Sequence, residues 1–169
     1  MKNLVFASVL LLISPLAIAE QNFNFDWQHW SDGKAELAGY KIQFPRYGEI
    51  RLGTAVSIFV TETFSNEARV KADPGVHSEQ DQFPVMKLNL IQDFPTGIYD
   101  YNLMTSSFVA LEDFTNQKAG TTAKLSFSSQ EWCGHVYSQI LFYPSTAEHS
   151  SHSYFDKEAD QTEELELPE

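Results

Sequence analysis

Glu131-Trp132-Cys133-Gly134-His135 places a carboxylate, a thiol and an imidazole within five consecutive residues. A thiol beside a general base is the raw material of a cysteine nucleophile, and a carboxylate can orient that base. On a β-strand alternate residues share a face, so Glu131, Cys133 and His135 would line up on one side. Strand residues two apart are about 6.5–7 Å apart at their α-carbons, so thiol and imidazole meet only across a distortion, which Gly134 can supply. These three residues are the candidate catalytic set, that of a Cys/His-dependent hydrolase or transferase. The competing reading is a buried thiol beside a satisfied histidine, packed under Trp132. Free cysteine is commonly a small core hydrophobe, and burial protects it in an oxidising compartment. The residues favour this second reading.

Metal ligation is a further option. His135, His149 and His152 fall within eighteen residues, with Glu148 and Asp156 close by. The three-residue spacing of His149 and His152 suits ligation from a helix, but the serines around them imply a loop, and no second ligand pair accompanies them. Other chemistries lack their signatures. There is no phosphate-cradling glycine loop, no Gly-x-Ser-x-Gly elbow and no calcium-binding loop. No cofactor is expected. The aromatic residues permit binding instead of catalysis. Tyr99, Tyr101 and Trp132 would line the concave face of a curved sheet, with Trp27 and Trp30 over its mouth.

The elements that must position these groups are strands. Ala38, Tyr40, Ile42 and Phe44 alternate with more polar residues, and Leu52, Val56, Ile58 and Val60 repeat at period two. Pro45-Arg46-Tyr47-Gly48 joins the two runs as a hairpin turn. Thr63 to Phe83 reads as a long exposed connection with one helical turn. Further strands are predicted over Val85 to Gln92, Ile98 to Leu111, Ala123 to Ser128 and Trp132 to Tyr143, with a last one at Ser151 to Phe155. The fold class is mainly β, an antiparallel meander forming a strongly curved sheet or open barrel, with a β-sandwich as the alternative.

Lys2, the apolar run Leu4 to Ile13, and Ala17-Ile18-Ala19 form an export signal over residues 1–19, cleaved before Glu20. The expected product is periplasmic or secreted, with no transmembrane segment after cleavage. Glu20 stands where a lipoprotein would carry cysteine, so no lipid anchor is expected. Residues 20–155 form one β-rich domain, large enough for a core. The chain has 23 acidic and 11 basic residues and a single cysteine, so the fold rests on packing rather than disulfides. Residues 156–169 read as a solvated acidic tail, or as the start of a further β-rich portion. This charge balance disfavours nucleic acid. The expected partner is an envelope component: a lipid-like, peptide or carbohydrate ligand, or a protein.

Tyr47-Gly48-Glu49-Ile50-Arg51, Val60-Thr61-Glu62, Thr96-Gly97-Ile98-Tyr99-x-Tyr101, Gln130 to Tyr137 and Ser151 to Phe155 carry a resemblance. From about Trp30 to Gln161 the chain resembles a family of uncharacterised exported bacterial proteins whose activity is not established. Some members are labelled septum formation inhibitor, a name that belongs to cytoplasmic α/β nucleotide pyrophosphatases. This chain shows neither the strand–helix alternation nor the phosphate site of those enzymes. The resemblance implies a longer protein with further strands after Gln161, so that this chain is C-terminally shortened. It also implies that many relatives are lipoproteins.

Overall fold

A computed structural model describes residues 23–115 and 117–168. The expected export signal and cleavage site fall outside the described residues. Eight antiparallel strands form one meander sheet: β1 (Glu36–Arg46), β2 (Glu49–Ser65), β3 (Gln82–Pro95), β4 (Asp100–Ala110), β5 (Thr122–Glu131), β6 (Gly134–Phe142), β7 (Thr146–Ser153) and β8 (Gln161–Glu166). Each strand pairs with its neighbours in sequence, and β1 and β8 are left as edges, so the sheet does not close into a barrel. One short helix, α1 (Trp27–Trp30), precedes it. Among the described residues no helix is long and apolar enough to cross a membrane.

The register gives the sheet two unlike faces. On one lie Ile42 and Phe44 of β1, Leu88, Leu90 and Phe94 of β3, Tyr101 and Leu103 of β4, Leu125 and Phe127 of β5, and Val136 and Ile140 of β6. This face curls inward. The rings of Phe44 and Phe94 stack with centroids 4.4 Å apart although β2 runs between their strands. The intervening residue is Gly53, where any Cβ would collide with the carbonyl oxygen of Asp93. Arg46 on β1 even reaches Tyr101 on β4, with 2.8 Å between its Nη2 and the hydroxyl. Among the described residues no second layer covers most of this trough; Phe94 and Tyr101 are buried by the curl itself, while Ile42, Phe44, Leu88, Leu90, Leu103, Leu125 and Val136 are half-buried.

The buried core sits on the opposite face, at the end carrying the connections β2–β3, β4–β5 and β6–β7. Phe64, Phe83, Val85, Ala110 and Ala123 form it, flanked by Phe108 and Phe114. The long connection 66–81 closes over this end. Ser65 Oγ donates to Asp81 Oδ2 at 2.6 Å, and the Glu67 amide donates to Oδ1 at 2.8 Å. Arg69, 1% exposed, lies over the Tyr143 ring and donates to Gln117 Oε1 at 3.1 Å. Burial holds its pKa below the ordinary arginine value.

Three expectations are corrected. The strand predicted to begin at Trp132 begins at Gly134, because Trp132 and Cys133 are the two turn residues of the β5–β6 hairpin. The strand predicted at Ser151 to Phe155 is β7, which occupies Thr146–Ser153 and is followed by β8. The run read as a solvated tail, or as the start of a further β-rich portion, contains β8, whose residues pair with β7 through the backbone while every side chain is exposed. With no apolar face, β8 shows no period-two signal, and its charges blunt an edge that would otherwise invite pairing with another chain.

Candidate functional site

The catalytic set does not assemble. The hairpin turn resets the alternation on which it depended: Glu131 pairs with Gly134, and Gln130 pairs with His135, so Glu131 and His135 lie on opposite faces. Cys133 is exposed, which corrects the expectation of a buried thiol, and Trp132 beside it is 76% exposed rather than a lid over it. A two-residue turn at a sheet edge has no layer to bury it. The backbone amide of Cys133 donates to Glu131 Oε2 at 2.9 Å, so the carboxylate shapes the turn. Among the described residues no hydrogen bond joins Cys133 to His135. The Tyr99 hydroxyl in the neighbouring turn has its pKa raised by the Tyr47 hydroxyl first, then by burial and by Cys133.

The histidines are also divided. His149 faces the trough side, its Nε2 3.0 Å from Ser138 Oγ and its Nδ1 3.0 Å from Glu163 Oε1. His135 and His152 face the other side, and His152 Nδ1 lies 2.6 Å from Asp160 Oδ1. Among the described residues no three His, Cys, Asp or Glu side chains are grouped to hold a metal ion.

The aromatic candidates separate into two places. Trp27 and Trp30 lie on α1 near the core end. The Trp30 ring is 6.4 Å from Phe59, and its carbonyl accepts from Thr61 Oγ1 at 3.2 Å. Tyr99, Tyr101 and Trp132 stand at the opposite end, where the turns β1–β2, β3–β4 and β5–β6 meet. Tyr99 stacks on Trp132 with centroids 5.9 Å apart and planes inclined by 25°. Tyr47, in the β1–β2 turn, lies with its hydroxyl 2.6 Å from that of Tyr101 and 3.4 Å from that of Tyr99. Tyr47 and Gly48 both have positive φ, 56° and 74°, the backbone of a two-residue hairpin turn whose twist matches the strands.

Inside this rim the trough deepens into a cavity of about 340 Å³, lined by Phe44, Phe94, Leu103, Phe127, Val136 and Phe155, with Arg46, Tyr101, Glu131 and Glu158 at its polar margin. The Arg46 guanidinium is 4.7 Å from the centroids of both the Tyr47 and Tyr101 rings. Its pKa is raised, chiefly by the Tyr101 hydroxyl, while that of Tyr101 is raised by burial ahead of its hydrogen bond with Tyr47. The Tyr47 pKa is lowered, chiefly by the Tyr101 hydroxyl. Unlike Arg51, which pairs with Glu49 at 2.8 Å, Arg46 makes no salt bridge among the described residues. A larger cleft, about 790 Å³, opens at the core end between Phe114, Lys118, Thr121 and Tyr143, away from every residue singled out by sequence.

Sequence reasoning named Tyr99, Tyr101 and Trp132 but missed Arg46, Tyr47 and the trough floor. The signal for Arg46 and Tyr47 was present. They sit in the turn next to the aromatic run, but only the curl of the sheet brings that turn to Tyr101. The chain matches no family model, no curated protein and no solved structure.

Proposed function

We propose that this protein is an exported, non-enzymatic binding protein for a lipid-like envelope ligand, an amphiphile whose apolar part lies in the trough. The observation that carries this reading is the uncovered apolar face itself. It spans β1 to β6, ends in the cavity under the tyrosine rim, and among the described residues has no second layer of protein to fill it. Ligand sites are concave, mostly apolar and fixed by a few convergent polar groups, and the cavity volume falls within their usual range. Arg46 and the Tyr47 and Tyr101 hydroxyls supply that polar end, where an acidic or hydroxylated head group finds charge-assisted partners. An apolar chain in the trough would cover Leu103, Phe127 and Val136, each methylene removed from water contributing about 0.8 kcal/mol.

Adjacent residues on opposite faces make the test. Leu103 lies in the trough and Met104 on the outer face. Binding of dodecanoic acid is followed by displacement of the fluorophore N-phenylnaphthylamine. Leu103→Glu is expected to weaken binding at least about tenfold, since it puts a charge where the chain must lie, and Met104→Glu to leave it unchanged. No binding by the unaltered protein, or equal loss in both variants, rejects the trough as the site.

A further inference from the structure

Exposed apolar side chains occur on the strands and on the 66–81 connection as well, but at one end of the sheet every turn carries one. Because the sheet is a meander, the β1–β2, β3–β4, β5–β6 and β7–β8 connections all lie at that end. Each carries a large apolar or aromatic tip: Tyr47 60% exposed, Ile98 81%, Trp132 76% and Tyr154 69%, with Phe155 beside it. Left in water, such tips are a cost that stability does not explain, and a contiguous exposed patch of this kind marks an interaction surface. Their chemistry is specific. Tyrosine and tryptophan combine an apolar ring with a polar tip, the combination suited to the head-group level of a bilayer, and isoleucine suits the boundary just beneath it.

The tips are also held in place. Tyr99 stacks on Trp132, Tyr154 meets Phe155 edge-on at 5.6 Å, the Tyr154 ring lies over Gly134, and the hydroxyls of Tyr47, Tyr99 and Tyr101 tie two turns together. A preformed platform loses little side-chain freedom on docking. The charges exclude one mode of attachment. Glu49, Asp100, Glu131, Asp156 and Glu158 flank the tips and outnumber Arg46, Arg51 and Lys157, and Arg51 is already paired with Glu49. Attraction to anionic lipid therefore cannot be the driving force. Finally, Phe155 belongs to both the rim and the cavity lining, so a surface touching the rim faces the mouth of the trough.

From these observations we infer that the rim is a membrane-contact surface, docking on a zwitterionic lipid bilayer with Tyr47, Ile98, Trp132 and Tyr154 inserted to the head-group level. This inference stands apart from the ligand reading, since a bilayer can be touched with the trough empty.

The experiment uses phosphatidylcholine vesicles and the purified protein carrying Trp27→Phe and Trp30→Phe, which leaves Trp132 as its one indole. Trp132 emission is expected to shift to the blue on adding vesicles and to be quenched by brominated acyl chains. In co-sedimentation, Ile98→Ser with Trp132→Ser is expected to lower partitioning at least about tenfold. Val76→Ser, an exposed residue of the 66–81 connection at the other end, is expected to change nothing. Circular dichroism confirms that the variants remain folded. Absence of both the shift and co-sedimentation overturns the inference and points to a protein partner. Equal partitioning of the rim variant, or attachment confined to charged vesicles and abolished by salt, overturns it as well. Dodecanoic acid binding measured without vesicles reports the trough separately, so either idea can fail alone.

Discussion

Cys133 shows how one residue changes meaning with its place in the backbone. In a strand it would be buried or would face His135. In the β5–β6 turn it is exposed, with its amide held by Glu131. It is therefore expected to react fully with a thiol reagent in the native protein, with no slow phase requiring unfolding. Cys133→Ser is expected to shift stability by less than about 0.5 kcal/mol in urea denaturation, as exposed substitutions do. A protected thiol would contradict the turn assignment. Trp132 and Tyr99, expected on the concave face, stack on each other at the rim outside the cavity, whose lining includes Tyr101.

At the scale of the element, the 66–81 connection depends on Asp81. This carboxylate accepts from Ser65 Oγ and the Glu67 amide and lies 3.3 Å from His77 Nδ1. Its pKa is lowered below 3.8, chiefly by the Ser65 hydrogen bond. A carboxyl with a depressed folded-state pKa binds fewer protons in the folded chain than in the unfolded one. Its contribution is fully present above the ordinary carboxylate range and is lost as pH falls through the folded value. Amide exchange within 66–81 is thus expected to accelerate as pH drops below about 4 relative to the strand core, after correction for intrinsic rates. Asp81→Asn is expected to cost about 1–2 kcal/mol at neutral pH, the worth of hydrogen bonds to a charged acceptor, and to flatten the acid limb of the stability profile.

At the scale of the molecule, the curl of the sheet is the property on which the site depends. At Gly53 the curl leaves no room for a side chain between β2 and β3. A side chain there would collide with the backbone of β3 and force apart the Phe44 and Phe94 rings. Gly53→Ala is expected to cost about 3 kcal/mol, at the upper end of overpacking effects, and to weaken dodecanoic acid binding in whatever fraction remains folded. Unchanged stability would mean that β1 does not bend over β3 as described. The same curl explains why the molecule has two ends of different character. The core end carries the buried cluster of Phe64 and Phe83 under 66–81, with a cleft beside Phe114, and the other presents four turns with exposed tips.

Period-two patterns over Ala38 to Phe44 and Leu52 to Val60, and the turn at Tyr47-Gly48, made the first hairpin legible, because a half-buried strand writes its face into its residues. The meander followed from local connections, and the curved, mainly β sheet was determined by the sequence to that extent. β8 was not legible, since it is specified by backbone bonds to β7 and carries no apolar face. The Trp132 to Tyr143 run was misplaced by two residues because turn and strand residues there share the same aromatic and polar types. Side-chain type and alternation are local properties, and the sequence determined what depends on them: the strands, most of the turns and the aromatic candidates. Tertiary structure alone decided which of those candidates meet. It separated Glu131 from His135, and His149 from His152, by a parity that a single turn or strand sets. It joined Arg46 to Tyr101 across two intervening strands, because curvature sums small twists over the whole sheet.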